Sequence, residues 1–178
     1  IFLIETIFDT LNAKAALMAA RHVKEITGRR IPIMLSVTIA DASGRTLSGQ
    51  TLDAFLASVQ HDEDILSVGL NCSFGAEDMR PYLRALAERA PYFISAHPNA
   101  GLPDEEGNYV ETPDMMAQAI SAFIDDGSVN IVGGCCGSTP AHIRTIAQMA
   151  EGRAVRPRPE QGKVDWLAGL EGFSPMPG

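Results

Sequence analysis

Cysteine is scarce: the chain has three in 178 residues. That number is too small, and odd, for a disulfide framework, so a reducing, cytoplasmic setting is expected. There is no basic block. Lys and Arg number 14 against 22 Asp and Glu, a net charge of −8, which argues against a nucleic-acid partner. Apolar runs are interrupted well short of the ~18 residues that a membrane span needs, so no membrane partner is expected. The opening IFLIET lacks an initiator Met, a basic n-region and a small-residue cleavage site, so it is not a signal peptide. It reads as a buried strand that starts in mid-fold, and the chain is expected to be a piece of a longer polypeptide. No GxGxxG fingerprint follows that first strand, which weakens a dinucleotide-binding reading.

What is present is an alternation. Short apolar runs lie at 1–5 (IFLIE), 32–39 (PIMLSVTI), 65–71 (ILSVGLN), 92–97 (YFISAH) and 129–134 (VNIVGG). They are nearly continuous in apolar character, as strands buried on both faces are. Helical patterns separate them. Asn12 to Ile26 carries Ala15, Met18 and Val23 toward one side and stops at Gly28. Thr51 caps a segment with Leu52, Phe55, Leu56 and Val59 at helical spacing. Gly75 precedes a stripe of Met79, Leu83 and Leu86, and the pairs Thr112-Pro113 and Thr139-Pro140 each mark a helix start. Five β/α units in succession predict an α/β fold with a parallel sheet; a barrel and an open doubly wound sheet both fit. The tail from Gly152 is proline-rich without that rhythm and reads as an extended linker, with Trp166 and Leu167 against the domain surface.

The polar residues that end each run are Glu5-Thr6, the Thr38–Asp41 region, Asn71-Cys72-Ser73, His97-Pro98-Asn99 and Cys135-Cys136. In a parallel β/α array these ends share one rim, where barrels carry their chemistry. The loops 40–50 and 98–112 leave the same rim and are candidate lids. Cys72, Cys135 and Cys136 can therefore converge. Adjacent cysteines make poor disulfide partners, but both can face one ion where the backbone turns sharply, and Gly133, Gly134 and Gly137 allow that turn. Three thiolates suit Zn²⁺ and leave one tetrahedral position open, as catalytic zinc sites do. Such a centre is a weak Lewis acid toward water and suits an incoming thiol, which implies alkyl transfer to sulfur. Three other readings stand beside this one: inert buried cysteines, a phosphate cradle in GGCCGS at a helix N-terminus, and a dithiol redox pair.

The remaining polar residues are less specific. Glu5 either pairs with a core cation or holds a substrate ammonium. His97 is a ligand or a satisfied structural group, and Asn99 lies in a Pro-Asn-Ala-Gly turn. Asn71 is expected to brace the cysteine loop. His22, His61 and His142 are expected on the surface, and the methionines in the core.

ETIFDTLNAKAAL (5–17), SGRTLSGQ (43–50), GLNCS (69–73), AHPNAGLP (96–103) and NIVGGCCGSTPAHI (130–143) resemble the zinc-dependent homocysteine S-methyltransferases. Within that family the likeness is to the homocysteine-binding modules of cobalamin-dependent methionine synthases. The resemblance implies a (β/α)₈ TIM barrel of which the last five β/α units are present, residues 1–152, followed by a linker, 153–178, toward a folate-binding domain. It implies zinc on Cys72, Cys135 and Cys136, with Asn99 near the metal and filling the fourth position when substrate is absent. Glu5 would take the substrate amino group, with Thr6, Asn71 and Asn99 also lining the substrate. The implied partners are homocysteine and the cobalamin- and folate-binding modules of the same polypeptide. Methylcobalamin would be the immediate methyl donor and 5-methyltetrahydrofolate the ultimate one. Betaine- and S-methylmethionine-dependent relatives share the cysteines but lack a continuation like WLAGLEGFSP (166–175). The earlier strands would supply further substrate contacts. Without them two sheet edges lie open, and the isolated piece is expected to associate or stay partly disordered, to be inactive, or to be only a structural remnant.

Overall fold

The structure is a computed structural model that describes residues 1–159 and 166–174. The predicted alternation is present. Strands β1 (Phe2–Ile7), β2 (Ile33–Val37), β3 (Ile65–Asn71), β4 (Phe93–His97) and β5 (Ile131–Val132) form one sheet in the order β1-β2-β3-β4-β5. Helices α1 (Thr10–Thr27), α2 (Leu52–Val59), α3 (Ala76–Arg89), α4 (Pro113–Asp125) and α5 (Pro140–Ala150) follow the strands in turn. A doubly wound sheet needs a point where strand order reverses, and this order has none. Unbroken succession is instead the order of neighbouring strands in a β/α barrel. Among the described residues no helix is long and apolar enough to cross a membrane.

The chain divides into two compact units, Ile1–Val68 with residues 166–174, and Gly69–Pro159. In the first, α1 begins earlier than its apolar pattern suggests. Asp9 caps it, its Oδ1 accepting from the N–H groups of Leu11 at 2.6 Å and Asn12 at 3.2 Å, a cap worth about 1 kcal/mol. The expected stripe of Ala15, Met18 and Val23 is not the packed one. Ala13 and Leu17 are buried, while Met18 is 70% exposed. Alanines surround this helix, so its periodicity cannot select a face, and packing against β1 and α2 does. β2 is buried as predicted, with Phe55 and Val59 of α2 in the same core. β1 is not: only its Ile7 is buried, because β1 is an edge of the sheet. It also bulges. Ile4 pairs with Leu35 and Ile7 with Val37, so one extra residue is accommodated around Glu5 and Thr6.

The tail holds a hairpin of two short strands, β6 (Leu167–Ala168) and β7 (Gly172–Phe173), packed on α2. The N–H of Thr51 donates to Leu170 O at 2.9 Å, Gln50 Nε2 to Gly169 O at 3.0 Å, and Arg45 pairs with Glu171. Residues 160–165 and 175–178 of the expected linker lie outside the described residues.

In the second unit, Met79, Leu83 and Leu86 of α3, Ile94 and Ala96 of β4, Met116, Ile120 and Phe123 of α4, and Ile146 of α5 make the core. The segment after α5 belongs to this unit rather than leaving it. Arg156 is buried, and its guanidinium donates to the carbonyls of Tyr92 at 3.1 Å, Ala87 at 2.5 Å and Ala90 at 3.2 Å. Ala87 and Ala90 lie at the C-terminal end of α3, so one cation satisfies carbonyls that the helix leaves without partners.

Candidate metal centre

The site lies in the second unit, and its shape begins in the backbone. β3 ends at the buried Asn71, and the next two residues, Cys72 and Ser73, take φ values of 61° and 62°. Left-handed backbone is uncommon for side chains other than glycine, and two in succession reverse the chain abruptly. The N–H of Phe74 donates to Cys72 O at 2.7 Å across this turn.

Residues 97–100, at the end of β4, brace both cysteine loops. On one side the N–H of Cys72 donates to His97 O at 3.0 Å and that of Asn99 to Phe74 O at 3.0 Å. On the other, the N–H of Cys135 donates to Pro98 O at 2.8 Å and that of Ala100 to Cys136 O at 2.9 Å. The side-chain oxygen of Asn99 accepts from the N–H of Cys136 at 3.2 Å. Asn99 is 4% exposed.

This bracing brings the three sulfur atoms together. Cys72 Sγ lies 3.7 Å from Cys136 Sγ, Cys136 Sγ lies 4.0 Å from Cys135 Sγ, and all three fall within 4.8 Å of one another. Two thiolates on a tetrahedral zinc at about 2.3 Å each stand about 3.8 Å apart, so the donor set and its spacing fit such an ion. All three cysteines are free. Among the described residues, His97 is not part of the cluster. Its ring instead packs on Gly133, where a Cβ would fall 2.7 Å from Cδ2.

The thiols are unequal. Burial pushes Cys72 up, but the backbone N–H of Ser73 and bonds from Cys136, Cys135 and Asn99 outweigh it, and the net shift is downward. Burial, then the neighbouring charges of Cys72 and Cys136, push Cys135 up to about 11. The first proton therefore leaves easily, and the last resists until a cation offsets the accumulated charge.

Two neighbours of the cluster escaped the sequence reading. Tyr109 is half-buried. Its ring occupies the space a side chain would need at Gly137, where φ is 78° and a Cβ would fall 2.3 Å from Tyr109 Cγ. His142, expected on the surface, is 6% exposed. It stands three residues after Thr139, where its Nδ1 accepts from the Thr139 N–H at 3.2 Å, which leaves Nε2 to donate to Glu111 O at 2.9 Å. A polar side chain at the third position after a helix cap was the signal that could have found it.

Ser138 lies where a side chain on Gly134 would go, its Oγ 2.1 Å from that Cβ position, so GGCCGS is not an open phosphate cradle. The two long loops are closed on themselves by bridges between Arg45 and Thr51 and between Pro103 and Tyr109. Glu5 and Thr6 belong to the other unit. Glu5 is exposed on the bulge, and Thr6 has φ 56°, a strained value for a β-branched residue.

The profile of the homocysteine S-methyltransferase family matches residues 1–150. This chain belongs to the homocysteine S-methyltransferase family. Its fold is similar to that of the homocysteine methyltransferase MmuM from Escherichia coli. The apo form aligns with a TM-score of 0.57 at 17% identity, over 83% of this chain and 48% of that one. The oxidized form gives 0.59 at 20% identity over 82% and 44%, and the metallated form 0.54 at 18% over 74% and 40%. At these identities the likeness shows the fold alone. The chain spans less than half the length of each of these proteins, and its five strands form one parallel sheet.

Proposed function

We propose that Cys72, Cys135 and Cys136 hold a zinc ion and that this chain is the last part, residues 1–152, of the homocysteine-binding barrel of a cobalamin-dependent methionine synthase. The observation that carries the reading is the meeting of three free thiols at zinc-like spacing in a chain of this family. Zinc supplies one open tetrahedral position, where the homocysteine thiol would be held deprotonated near neutral pH.

The chain's own residues do the rest. The backbone of 97–100 bonds both cysteine loops and holds them side by side. Asn99 Oδ1 has two lone pairs, one of which takes the Cys136 N–H; the other is the proposed fourth donor in the absence of substrate. Glu5 takes the substrate ammonium, and Thr6, Asn71 and Asn99 line the same substrate. The β1 bulge supports this role for Glu5 and Thr6, because bulges re-aim side chains at sites. The homocysteine sulfur attacks a methyl carbon; the new C–S bond forms as the methyl–donor bond breaks, and the product is methionine.

The proposed donor is methylcobalamin, recharged from 5-methyltetrahydrofolate and carried by other modules of the same polypeptide. A corrinoid is too large to enter a barrel, so its module must meet the sulfur at the rim. The resemblance of residues 166–175 to a linker leading toward a folate-binding domain supports this choice over betaine or S-methylmethionine. The test has two parts. Zinc stoichiometry is measured on the wild type and on Cys72→Ser; one ion per chain, lost in the variant, is expected, and full occupancy in the variant would refute the site. Methyl transfer to homocysteine is then assayed in the full polypeptide with each of the three donors.

A further inference from the structure

We propose that the tail segment 166–174 is a strap of the substrate site and that Gln50 is its positioning residue: the Gln50 carboxamide joins the strap to the start of α1 and so fixes the end of β1 that carries Glu5 and Thr6. The proposal rests on the reading above that Glu5 takes the substrate ammonium, and it concerns residues to which that reading gives no part. All of them lie in the first compact unit.

The need for a hold begins in β1. Thr6 sits at φ 56°, in left-handed backbone that a β-branched residue keeps only where its surroundings fix it. Among the described strands β1 is an edge, so the sheet grips it from one side, through β2. Past the bulge the chain is gripped at three places. The N–H of Thr38 donates to Ile7 O at 2.9 Å, that of Ser48 to Phe8 O at 3.2 Å, and Thr10 Oγ1 donates to Gln50 Oε1 at 2.7 Å. The second and third grips come from the loop 46–50. That loop is a closed turn around the buried Thr46. The N–H of Thr46 donates to Gln50 O and that of Gly49 to Thr46 O, both at 2.9 Å, while the Gln50 N–H reaches Thr46 Oγ1 at 3.2 Å.

The strap holds this loop from its other side. The carboxamide that accepts from Thr10 also donates, through Nε2, to Gly169 O at 3.0 Å. The Thr51 N–H donates to Leu170 O at 2.9 Å, Gln60 Nε2 to Trp166 O at 3.3 Å, and Arg45 pairs with Glu171. Gly172 lies so close to α2 that a Cβ there would fall 2.7 Å from Asp53 Cβ. A carboxamide has a donor and an acceptor side by side, and at Gln50 each serves a different segment. A carboxylate or an aliphatic side chain at this position cannot make both bonds.

Trp166 is the only tryptophan of the chain, so its fluorescence reports the strap. In Gln50→Ala its emission is expected to move to longer wavelength as the strap loosens. Binding to the zinc-loaded full polypeptide is then compared for homocysteine and for its deaminated analogue, which keeps the thiol and the carboxylate. The variant is expected to bind homocysteine about 10-fold more weakly, the scale of one hydrogen bond to a charged group, and the analogue as the wild type does. An unmoved emission overturns the strap. Equal weakening of both ligands, or no weakening of homocysteine, overturns the positioning role, because a merely structural Gln50 would not discriminate the amino group. A wild type that binds both ligands alike, or neither, overturns the reading of Glu5, and this proposal with it. Should Gln50→Ala fail to fold, Thr10→Val cuts the same link from the other side. Selective loss of homocysteine is again expected, and any other pattern overturns the proposal.

Discussion

The N–H of Cys136 donates to the side-chain oxygen of Asn99 at 3.2 Å, and the next residue, Ala100, returns a bond to Cys136 O at 2.9 Å. The Asn99 N–H donates to Phe74 O at 3.0 Å, so one buried residue ties both cysteine loops together. Asn99→Ala would leave the Cys136 N–H without a partner, at a cost of about 1–3 kcal/mol. The expected result is a folded chain with lower melting temperature and zinc affinity reduced about 10- to 100-fold. Calorimetry and chelator competition on the same preparation check both numbers.

The unequal thiols predict a spread titration of the metal-free protein. Cys72 is lowered, so its contribution to stability is present above its ordinary value and is lost as pH falls through the lowered one. Cys135 has the opposite sign. Its thiol is favoured in the fold, so that contribution is intact below the ordinary 9.0 and is lost as pH rises toward about 11. Thiolate absorbance near 240 nm should rise in separated steps, and Cys72→Ser should remove the earliest. A single step in the wild type would contradict the coupling. With zinc bound the same protons compete with the metal, so zinc should leave as the solution is acidified.

Arg156 makes a prediction about stability alone. Its buried guanidinium serves three carbonyls, two of them at the end of α3, and none of the three belongs to the cluster. Arg156→Met keeps much of the packing and loses the donors. A loss of about 2–3 kcal/mol in urea unfolding is expected, since hydrogen bonds to a charged group are the stronger kind. Zinc affinity measured under native conditions should not change.

The cysteine cluster was legible because each member sits at the polar end of an apolar run. Parallel β/α succession then puts those ends on one edge, whatever the loops do. The helix starts at Thr51, Gly75, Thr112 and Thr139 were legible for a similarly local reason, the cap. Tyr109 was not. It lies in a loop without periodicity, and its place depends on the Asp104 turn and on contact with Gly137, 28 positions further along the chain. The packed face of α1 was hidden by its alanines. β1 misled for another reason. An edge strand of a sheet can be as apolar as a central one, and neighbours rather than composition decide what covers it.

Gly137 joins the backbone and the cluster, and a single methyl group tests the connection. At φ 78° any side chain there is strained, which by itself costs about 1–3 kcal/mol. An added Cβ would also fall 2.3 Å from Tyr109 Cγ and 2.4 Å from Tyr109 Cβ, distances that no contact tolerates, so the ring must move. Gly137→Ala is therefore expected to lower the melting temperature and to weaken zinc binding. Combining it with Tyr109→Ala, which removes the ring, separates the causes. If the glycine acts only through the ring, the double variant binds zinc no more weakly than Gly137→Ala alone. If their effects on zinc affinity multiply instead, Gly137 holds the Cys135-Cys136 turn by its backbone angle independently of the ring.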